Sequence, residues 1–458
     1  MDRSVETAPD SMDLTPRFEA LRAREFSRLD EMGQVYLDYT GSGLYADSHL
    51  QAHEDFLEHH VLGNPHSENP ASSAATRVVE EARREILEFF GADSGEFSVV
   101  FTSNASGALK LVGESFPFEP GSRFTLLEDN HNSVNGIRQY AEGRGAETIY
   151  LPLTGELRRD PAVEIPPAGS SPGLFAFPAQ SNFSGVRHPL ALVEEARDRG
   201  YHVLLDTAAY VPTSPVVLDE VRPDFACVSF YKMFGFPTGI GALIARKEAL
   251  ARLRRPWFAG GTVEFVSVAS RRHRLVPDAV GFEDGTLNFL GIAGVRSGLG
   301  FLRDVGMDRV RRRVHHLTTR LLEVLMEARY PGNEPAVRVY GPTNAEGRGG
   351  TVAFNLLDRQ GLPLPYGEVE RAASRVGISL RGGCFCNPGA AERALELPSE
   401  RMLECLETLP PGSFSLRRMA ECLGGGIAVG ALRASVSVPT VEADLDRLAT
   451  FLGEFLDS

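Results

Sequence analysis

Residues 225–246 read FACVSFYKMFGFPTGIGALIAR. The runs FACVSF and GIGALIA are short, continuous and apolar, the pattern of strands buried on both faces rather than of half-exposed alternating ones. Lys232 stands just beyond the first run, among aromatic residues and bounded by glycines. Of 47 basic residues only Lys110, Lys232 and Lys247 are lysines, so arginine supplies nearly all the cationic surface. The plain alternative is a surface lysine whose stem lies along apolar side chains. A solvated charge would be served by arginine, however, so a lysine kept in this setting is read as kept for amine chemistry.

Outward from this stretch the same alternation repeats. Val79, Ala82, Ile86 and Phe90 form one helical stripe in RVVEEARREILEFFGA. FSVVFTS, FTLLE, a helix from Asn132 to about Gly143, ETIYLPL, GLFAFPA, the helix PLALVEEARDRG and YHVLLD follow. Apolar runs alternating with amphipathic helices predict an α/β fold, a mostly parallel sheet covered on both faces. Ligands of such sheets bind beyond the carboxyl ends of the strands. The polar residues gather there. SVVFT is followed by Ser103, Asn104, Ala105, Ser106 and Gly107, ahead of a helix expected near Ala108; FTLLED leads to His131, FAFPA to Gln180, Ser181 and Asn182, HVLL to Asp206, and FACV to Ser229 and Lys232. Each has an ordinary reading alone: Ser106 a helix cap, His131 a turn histidine, Asp206 a turn former. Together they offer phosphate donors, an aromatic base, a carboxylate and an amine, the four chemistries that pyridoxal phosphate needs.

The C-terminal third has a different pattern. Val310, Val314, Leu317, Leu321 and Leu325 mark one face of a long helix; AVRVYG and TVAFNLL read as strands, Glu368–Val376 as a helix, and GALRAS as a strand before a last helix capped by Thr440. Residues 36–300 are assigned to a large domain, and 1–35 with 301–458 to a smaller α+β domain. The stretch 409–426, with its proline and glycine clusters, is expected as a mobile loop.

With 458 residues, 43% hydrophobic and 24% charged, the composition is that of a soluble globular chain with a large core. A net charge of −14 argues against nucleic acid or an anionic membrane as partner. The acidic N-terminus shows no signal peptide and no run of about 18 apolar residues is present, so a cytoplasmic location is expected. Five cysteines, at 227, 384, 386, 405 and 422, are an odd number without an export signal, which disfavours a disulfide framework. Cys384 and Cys386 are therefore read as thiols. A zinc site would need a second Cys or His pair at ligand spacing nearby, and none is present. His49 and His53, one helical turn apart, are read as a solvated helix face.

The motifs VYLDYTGSGLY, NPHSENPASS, FTSNASGALK, DNHNSV, PAQSNFSG, LLDTAA, SFYKMFGFPTGIGAL, FAGGTVE, GTLNF, LRGGCFCNPGA and GALRAS span nearly the whole chain. They resemble the class V aminotransferase and cysteine desulfurase group of fold-type I pyridoxal phosphate enzymes, and within it the desulfurase-like domain of molybdenum cofactor sulfurases. SFYKMFGFPTG, PAQSNFSG and RGGCFC carry the resemblance to that branch. It implies a large domain built on a mostly parallel seven-stranded sheet between helices. Lys232 would be the Schiff-base lysine, Asp206 the partner of the pyridinium nitrogen, and His131 the residue stacked on the ring. Asn182 and Gln180 would reach the ring hydroxyl, while Ser106, Ser229 and the Ala105 backbone would hold the phosphate. Thr286 would reach the phosphate of the neighbouring subunit, which implies a homodimer.

The resemblance also implies a substrate. Arg381, with Asn182 and Gly41, would hold an amino acid carboxylate, the guanidinium through two parallel hydrogen bonds. Cys386, five residues after Arg381, would be the nucleophile in preference to Cys384 at three. L-cysteine would lose its Cα proton to Lys232 and its sulfur to the Cys386 thiolate, which Arg381 is expected to favour; alanine would leave, and the persulfide would pass to an acceptor protein or cofactor. Three departures stand out: Tyr231 occupies a position where many desulfurases have histidine, Ala209 one where glutamine is frequent, and the chain ends at Ser458 without the domain that binds molybdenum cofactor in eukaryotic sulfurases. Two alternatives stay open. One is a C–S lyase, aminotransferase or epimerase of specialised metabolism using the same cofactor; the other is a non-catalytic cofactor-binding protein, against which Lys232, Asp206 and Arg381 together argue.

Overall fold

The structure, a computed structural model, describes residues 14–65, 67–410, 412–413, 415–424 and 427–457. Residues 1–13 of the acidic N-terminus, assigned above to the small domain, and His66 of NPHSENPASS lie outside them. In chain order the strands are β1 (Val35–Tyr36), β2 (Phe97–Thr102), β3 (Arg123–Leu127), β4 (Glu147–Leu151), β5 (Gly173–Pro178), β6 (Tyr201–Asp206), β7 (Phe225–Ser229), β8 (Gly241–Arg246), β9 (Val263–Ser267), β10 (Arg272–Leu275), β11 (Val337–Tyr340), β12 (Thr351–Leu356), β13 (Ile378–Ser379), β14 (Arg381–Gly383) and β15 (Ala431–Ser435).

Seven of them form one sheet in the order β2-β8-β7-β6-β5-β3-β4. β3 through β7 pair in parallel, and β8 runs antiparallel to both β7 and β2. The strands are buried on both faces because alternate residues enter separate cores: Phe225 and Cys227 of β7 join Leu243 and Ala245 of β8 on one side, Ala226 and Val228 join Ala242 and Ile244 on the other. The helix Pro70–Phe89 begins where the Asn69 side chain accepts the Ser72 amide, and it buries Val79, Ala82 and Ile86 with the following Phe90 against the second face. Because β2, β3, β5, β6 and β7 point the same way, their carboxyl ends meet along one edge. That edge carries the polar residues singled out above.

A second sheet, β11-β12-β15-β14, is antiparallel. Val352 and Phe354 of β12 and Leu432 and Ala434 of β15 pack against Val310, Val314, Leu317, Leu321 and Leu325 of the helix Met307–Glu327, and against Phe18, Leu21, Phe26 and Leu29 from the N-terminal segment. β1 pairs in parallel with β13, and β9 with β10 as a hairpin. Among the described residues no helix is long and apolar enough to cross a membrane.

Four local expectations are corrected. The helix expected near Ala108 starts at Ala105, because Asn104 rather than Ser106 caps it, its Oδ1 accepting the Gly107 amide at 3.0 Å. Thr440 does not cap the last helix: its Oγ1 accepts the Ser437 amide, while Asp444 Oδ2 accepts the Val441 amide ahead of Glu442–Asp457. His49 does not face solvent; it is 1% exposed, its Nε2 lies 2.7 Å from the Gly294 carbonyl, and its ring packs edge-on to Phe234 and Phe236. The stretch 409–426 contains a helix, Leu416–Leu423, and Cys422 is bonded to Cys405 on the helix Ser399–Thr408. Residues 411, 414, 425 and 426 of that stretch lie outside the described ones. The disulfide runs against the reading that an odd cysteine count without an export signal disfavours a disulfide framework: parity limits how many bridges form, but not whether two helices bring one pair together. Cys227, Cys384 and Cys386 remain thiols, as expected for the last two.

Candidate active site

At the carboxyl edge of the large sheet lies a cavity of about 120 Å³. Eight sequence-predicted residues line it: Ala105, Ser106, His131, Gln180, Asn182, Asp206, Ser229 and Lys232. Lys232 is the third residue of the short helix Phe230–Phe234 that leaves β7. Gly235 ends that helix at φ 79°, and a Cβ there would stand 2.4 Å from the Tyr45 amide nitrogen, so only glycine lets the segment 43–45 cross beneath the lysine. Gly43 N–H fixes the crossing by donating to the Tyr231 carbonyl at 3.1 Å. The YTGSGLY motif thus serves as a floor for the lysine helix.

Burial holds the Lys232 amine below the ordinary lysine pKa, and the positive charges of Arg433 and Arg381 act in the same direction; the Asp206 carboxylate opposes them. Among the described residues Lys232 has no salt-bridge partner, and Asp206, itself buried, accepts the Ala208 amide at 3.0 Å. His131 is likewise pushed below the ordinary imidazole range, by burial first and then by Lys232 and Arg433 against the pull of Asp206. Its Nδ1 accepts the Ser133 amide at 3.1 Å, which places the proton of the neutral ring on Nε2. Cys227, behind Asp206, is a packing thiol whose pKa burial raises far up.

At the start of the helix Ala105–Ser115, Ser229 Oγ accepts the Ala105 amide at 2.8 Å, and the hydroxyls of Ser106 and Ser133 lie 2.6 Å apart. The Ala105 amide is therefore already taken, while the Ser229 hydroxyl, accepting in this bond, keeps its own proton to donate; Ser133, unpredicted, completes the hydroxyl group. The two amides are also engaged. Gln180 donates to the Ala209 carbonyl at 2.9 Å, and Asn182 donates to the Phe385 carbonyl at 2.7 Å while its Oδ1 accepts from Asn387 at 2.9 Å. Asn182 thus latches the thiol loop to the cavity rim.

Four predicted residues lie off the cavity. Cys386 is exposed on that loop, whose backbone is tied down by the Asn132 amide donating to the Cys386 carbonyl at 2.7 Å. The segment is not extended: Phe385 and Cys386 both have φ 55°, so the thiols diverge. Cys384 turns inward and donates to the Val429 carbonyl at 3.3 Å, and burial, with the charge of Glu392 nearby, raises its pKa. Arg381 is not an open clamp, because its Nε donates to Asp38 Oδ2 at 2.9 Å, and Gly41 lies against this pair. Asp38 and its second partner Arg433 were not foreseen, since they are far from Arg381 in sequence. Thr286 lines a separate cavity of about 560 Å³ with Gly63, Asn69 and Gly261. A larger cavity, a polar cleft of about 1390 Å³, adjoins the thiol loop at Asn132, Pro388 and Gly389. Its size does not make it the chemical centre, because it lacks Lys232 and Asp206.

Comparison with known proteins places the chain among its relatives. The chain is 38% identical to human molybdenum cofactor sulfurase over 83% of its own length and 45% of the relative's, and 37% identical to the Arabidopsis thaliana protein of the same name over 85% and 52%. It spans about half the length of the curated relatives it matches. Among solved structures, an apo cysteine desulfurase from Thermococcus onnurineus superimposes with a TM-score of 0.77 at 24% identity, covering 98% of this chain and 99% of the other. A cysteine desulfurase from Escherichia coli gives 0.74 at 20%, covering 98% and 99%. These likenesses bear out the fold-type I α/β architecture. The family model described as aminotransferase class-V matches residues 35–448, from β1 into the last helix, and this chain is a member of that family.

Proposed function

We propose that the chain is a pyridoxal-phosphate-dependent cysteine desulfurase that converts L-cysteine to L-alanine and retains the sulfur as a persulfide on Cys386. One observation carries the reading: Lys232, Asp206 and His131 face one small cavity, while an exposed thiol sits on a loop latched to its rim by Asn132 and Asn182. The donor set fits the cofactor, with an amine that has no salt-bridge partner among the described residues, a buried carboxylate, a neutral imidazole, and hydroxyls gathered at a helix N-terminus where anions are favoured. Lys232 would hold it covalently, Asp206 would pair with its ring nitrogen, His131 would cover the ring, Gln180 and Asn182 would offer their remaining amide hydrogens to its hydroxyl, and Ser106, Ser229 and Ala105 would surround the phosphate. When bound, the cofactor supplies the electron sink that makes the Cα–H bond of an amino acid acidic.

The remaining chemistry belongs to the chain. Arg381 holds the substrate carboxylate beside Gly41. Lys232, with its lowered pKa, is deprotonated at lower pH than a surface lysine and moves the proton at substrate Cα. The Cys386 thiolate takes the substrate sulfur: an S–S bond forms as the C–S bond breaks, and protonation of the carbon gives alanine. An acceptor protein or cofactor would approach Cys386 from the polar cleft at Asn132 and Pro388. A homodimer with Thr286 reaching the partner's phosphate is supported by the position of Thr286, which lies off its own cavity. The division into 36–300 and 1–35 with 301–458 is supported by the core that the N-terminal segment shares with the C-terminal helices. We place the protein in the cytoplasm, whose reducing poise suits the Cys384 and Cys386 thiols; the Cys405–Cys422 bridge is the feature that runs against this placement. The test is incubation of the loaded protein with L-cysteine, which should release alanine and leave an added sulfur on the Cys386 peptide by mass spectrometry; turnover with unmodified Cys386 would hand the site to the C–S lyase, aminotransferase or epimerase reading.

A further inference from the structure

Arg381 on β14 and Arg433 on β15 are directly opposed across the antiparallel ladder. Like charges in that position repel, and Asp38, brought from the N-terminal segment, stands between them. Arg433 Nη2 donates to Asp38 Oδ1 at 2.9 Å, and Arg381 Nε lies 3.0 and 2.9 Å from Oδ1 and Oδ2, with its Nη2 also on Oδ2. The two arginines are not equivalent. The Arg433 side chain is 3% exposed and its Nη1 is anchored on the Asn182 carbonyl at 2.9 Å, whereas Arg381 is 50% exposed. Asp38 grips Arg381 along its Nε and Nη2 edge; among the described residues Nη1 has no hydrogen-bond partner. A Cβ on Gly41 would meet both Asp38 oxygens and Arg381 Nη2 within 2.9 Å, so the pair needs that glycine.

We infer that Asp38 is the positioning residue of the substrate-carboxylate clamp. Held by buried Arg433, it orients the Arg381 guanidinium so that the free Nη1 and Nη2 edge meets an incoming carboxylate end-on. This rests on Arg381 being the clamp, as proposed above. A purely structural role for Asp38, neutralising two arginines, would affect stability alike with or without Arg381.

The experiment measures L-alanine binding to the cofactor-loaded protein by calorimetry, with steady-state kinetics on L-cysteine. Arg381→Ala should weaken L-alanine binding, and Asp38→Asn should weaken it by roughly tenfold, raising KM with little change in kcat. In the Arg381→Ala background Asp38→Asn should cause no further loss, because both act through one guanidinium. Asp38→Glu keeps Arg433 paired but displaces Arg381 by a methylene, so it should fold and still raise KM if Asp38→Asn proves unstable. Arg381→Ala that binds L-alanine like wild type overturns the clamp and the inference together. Weak binding by Arg381→Ala with wild-type or tighter binding by both Asp38 variants, or equal losses from Asp38→Asn in both backgrounds, overturns the inference alone.

Discussion

Replacing Cys386 and Cys384 by serine, one at a time, separates the chemistry from the packing. Cys386 is exposed, and its φ of 55° is a backbone property that serine shares. Changing one exposed atom should alter stability by no more than about 0.5 kcal/mol, which shifts the melting temperature by about 2 °C or less. Cys384 differs. Its thiol is half-buried, bonded to the Val429 carbonyl, and packed at the edge of the cluster containing Leu153, Leu157, Phe183 and Ala431. A hydroxyl can keep the bond to Val429 but must be taken further out of water, at a cost of about 1 kcal/mol. Reactivity should follow the opposite order, because burial keeps the Cys384 thiol protonated and the thiolate is the nucleophile. The assay reads alanine release and persulfide on the 384–386 peptide, together with thermal unfolding of each variant. Cys386→Ser should lose persulfide formation by about 1000-fold or more while melting like wild type. Cys384→Ser should melt lower and keep activity within a few fold. Reversed phenotypes refute the assignment; if Cys386→Ser releases alanine at the wild-type rate, sulfur transfer to this thiol is not part of the reaction.

Three further outcomes are expected. Borohydride reduction of the loaded protein should fix pyridoxyl mass on Lys232, and label on Lys110 or Lys247 would remove the basis of the site; in cofactor-free protein the depressed folded pKa means that the unfolded chain binds the extra proton, so stability rises with pH from that lowered value up to 10.5, and Lys232→Met should abolish this rise and melt higher at pH 7. Sedimentation should give a dimer, and Thr286→Ala should release cofactor more readily without changing the fold; a monomer that retains cofactor tightly contradicts the shared site. Denatured protein should present three thiols before reduction and five after it, and reduction of the Cys405–Cys422 bridge, which spans 17 residues, should cost about 3 kcal/mol in the chain-entropy estimate; five thiols without reductant would mean that the bridge does not form.

The sequence by itself determined the large sheet and its active edge. Continuous apolar runs report burial on both faces, and parallel strands carry their following residues to one edge, so His131, Gln180, Asn182, Asp206 and Lys232 could be grouped before any coordinate was known. Core stripes such as Val310 to Leu325 were legible for the same reason, because helical period is a local property. What only the tertiary structure decided depends on partners distant in the chain or on loop dihedrals. Asp38 meets Arg381 across 343 residues, and nothing in VYLDYTGSG marks that carboxylate as belonging between two arginines. Asn182 looked free for a ligand until Phe385 and Asn387 were folded onto it. The choice between Cys384 and Cys386 rested on spacing alone until two left-handed residues turned one thiol inward and left the other in solvent. Cys405 reaches Cys422, and His49 leaves solvent for Gly294, because packed helices bring them together. Periodicity records how deeply a residue is buried, whereas the identity of its neighbour is set only when the whole chain closes.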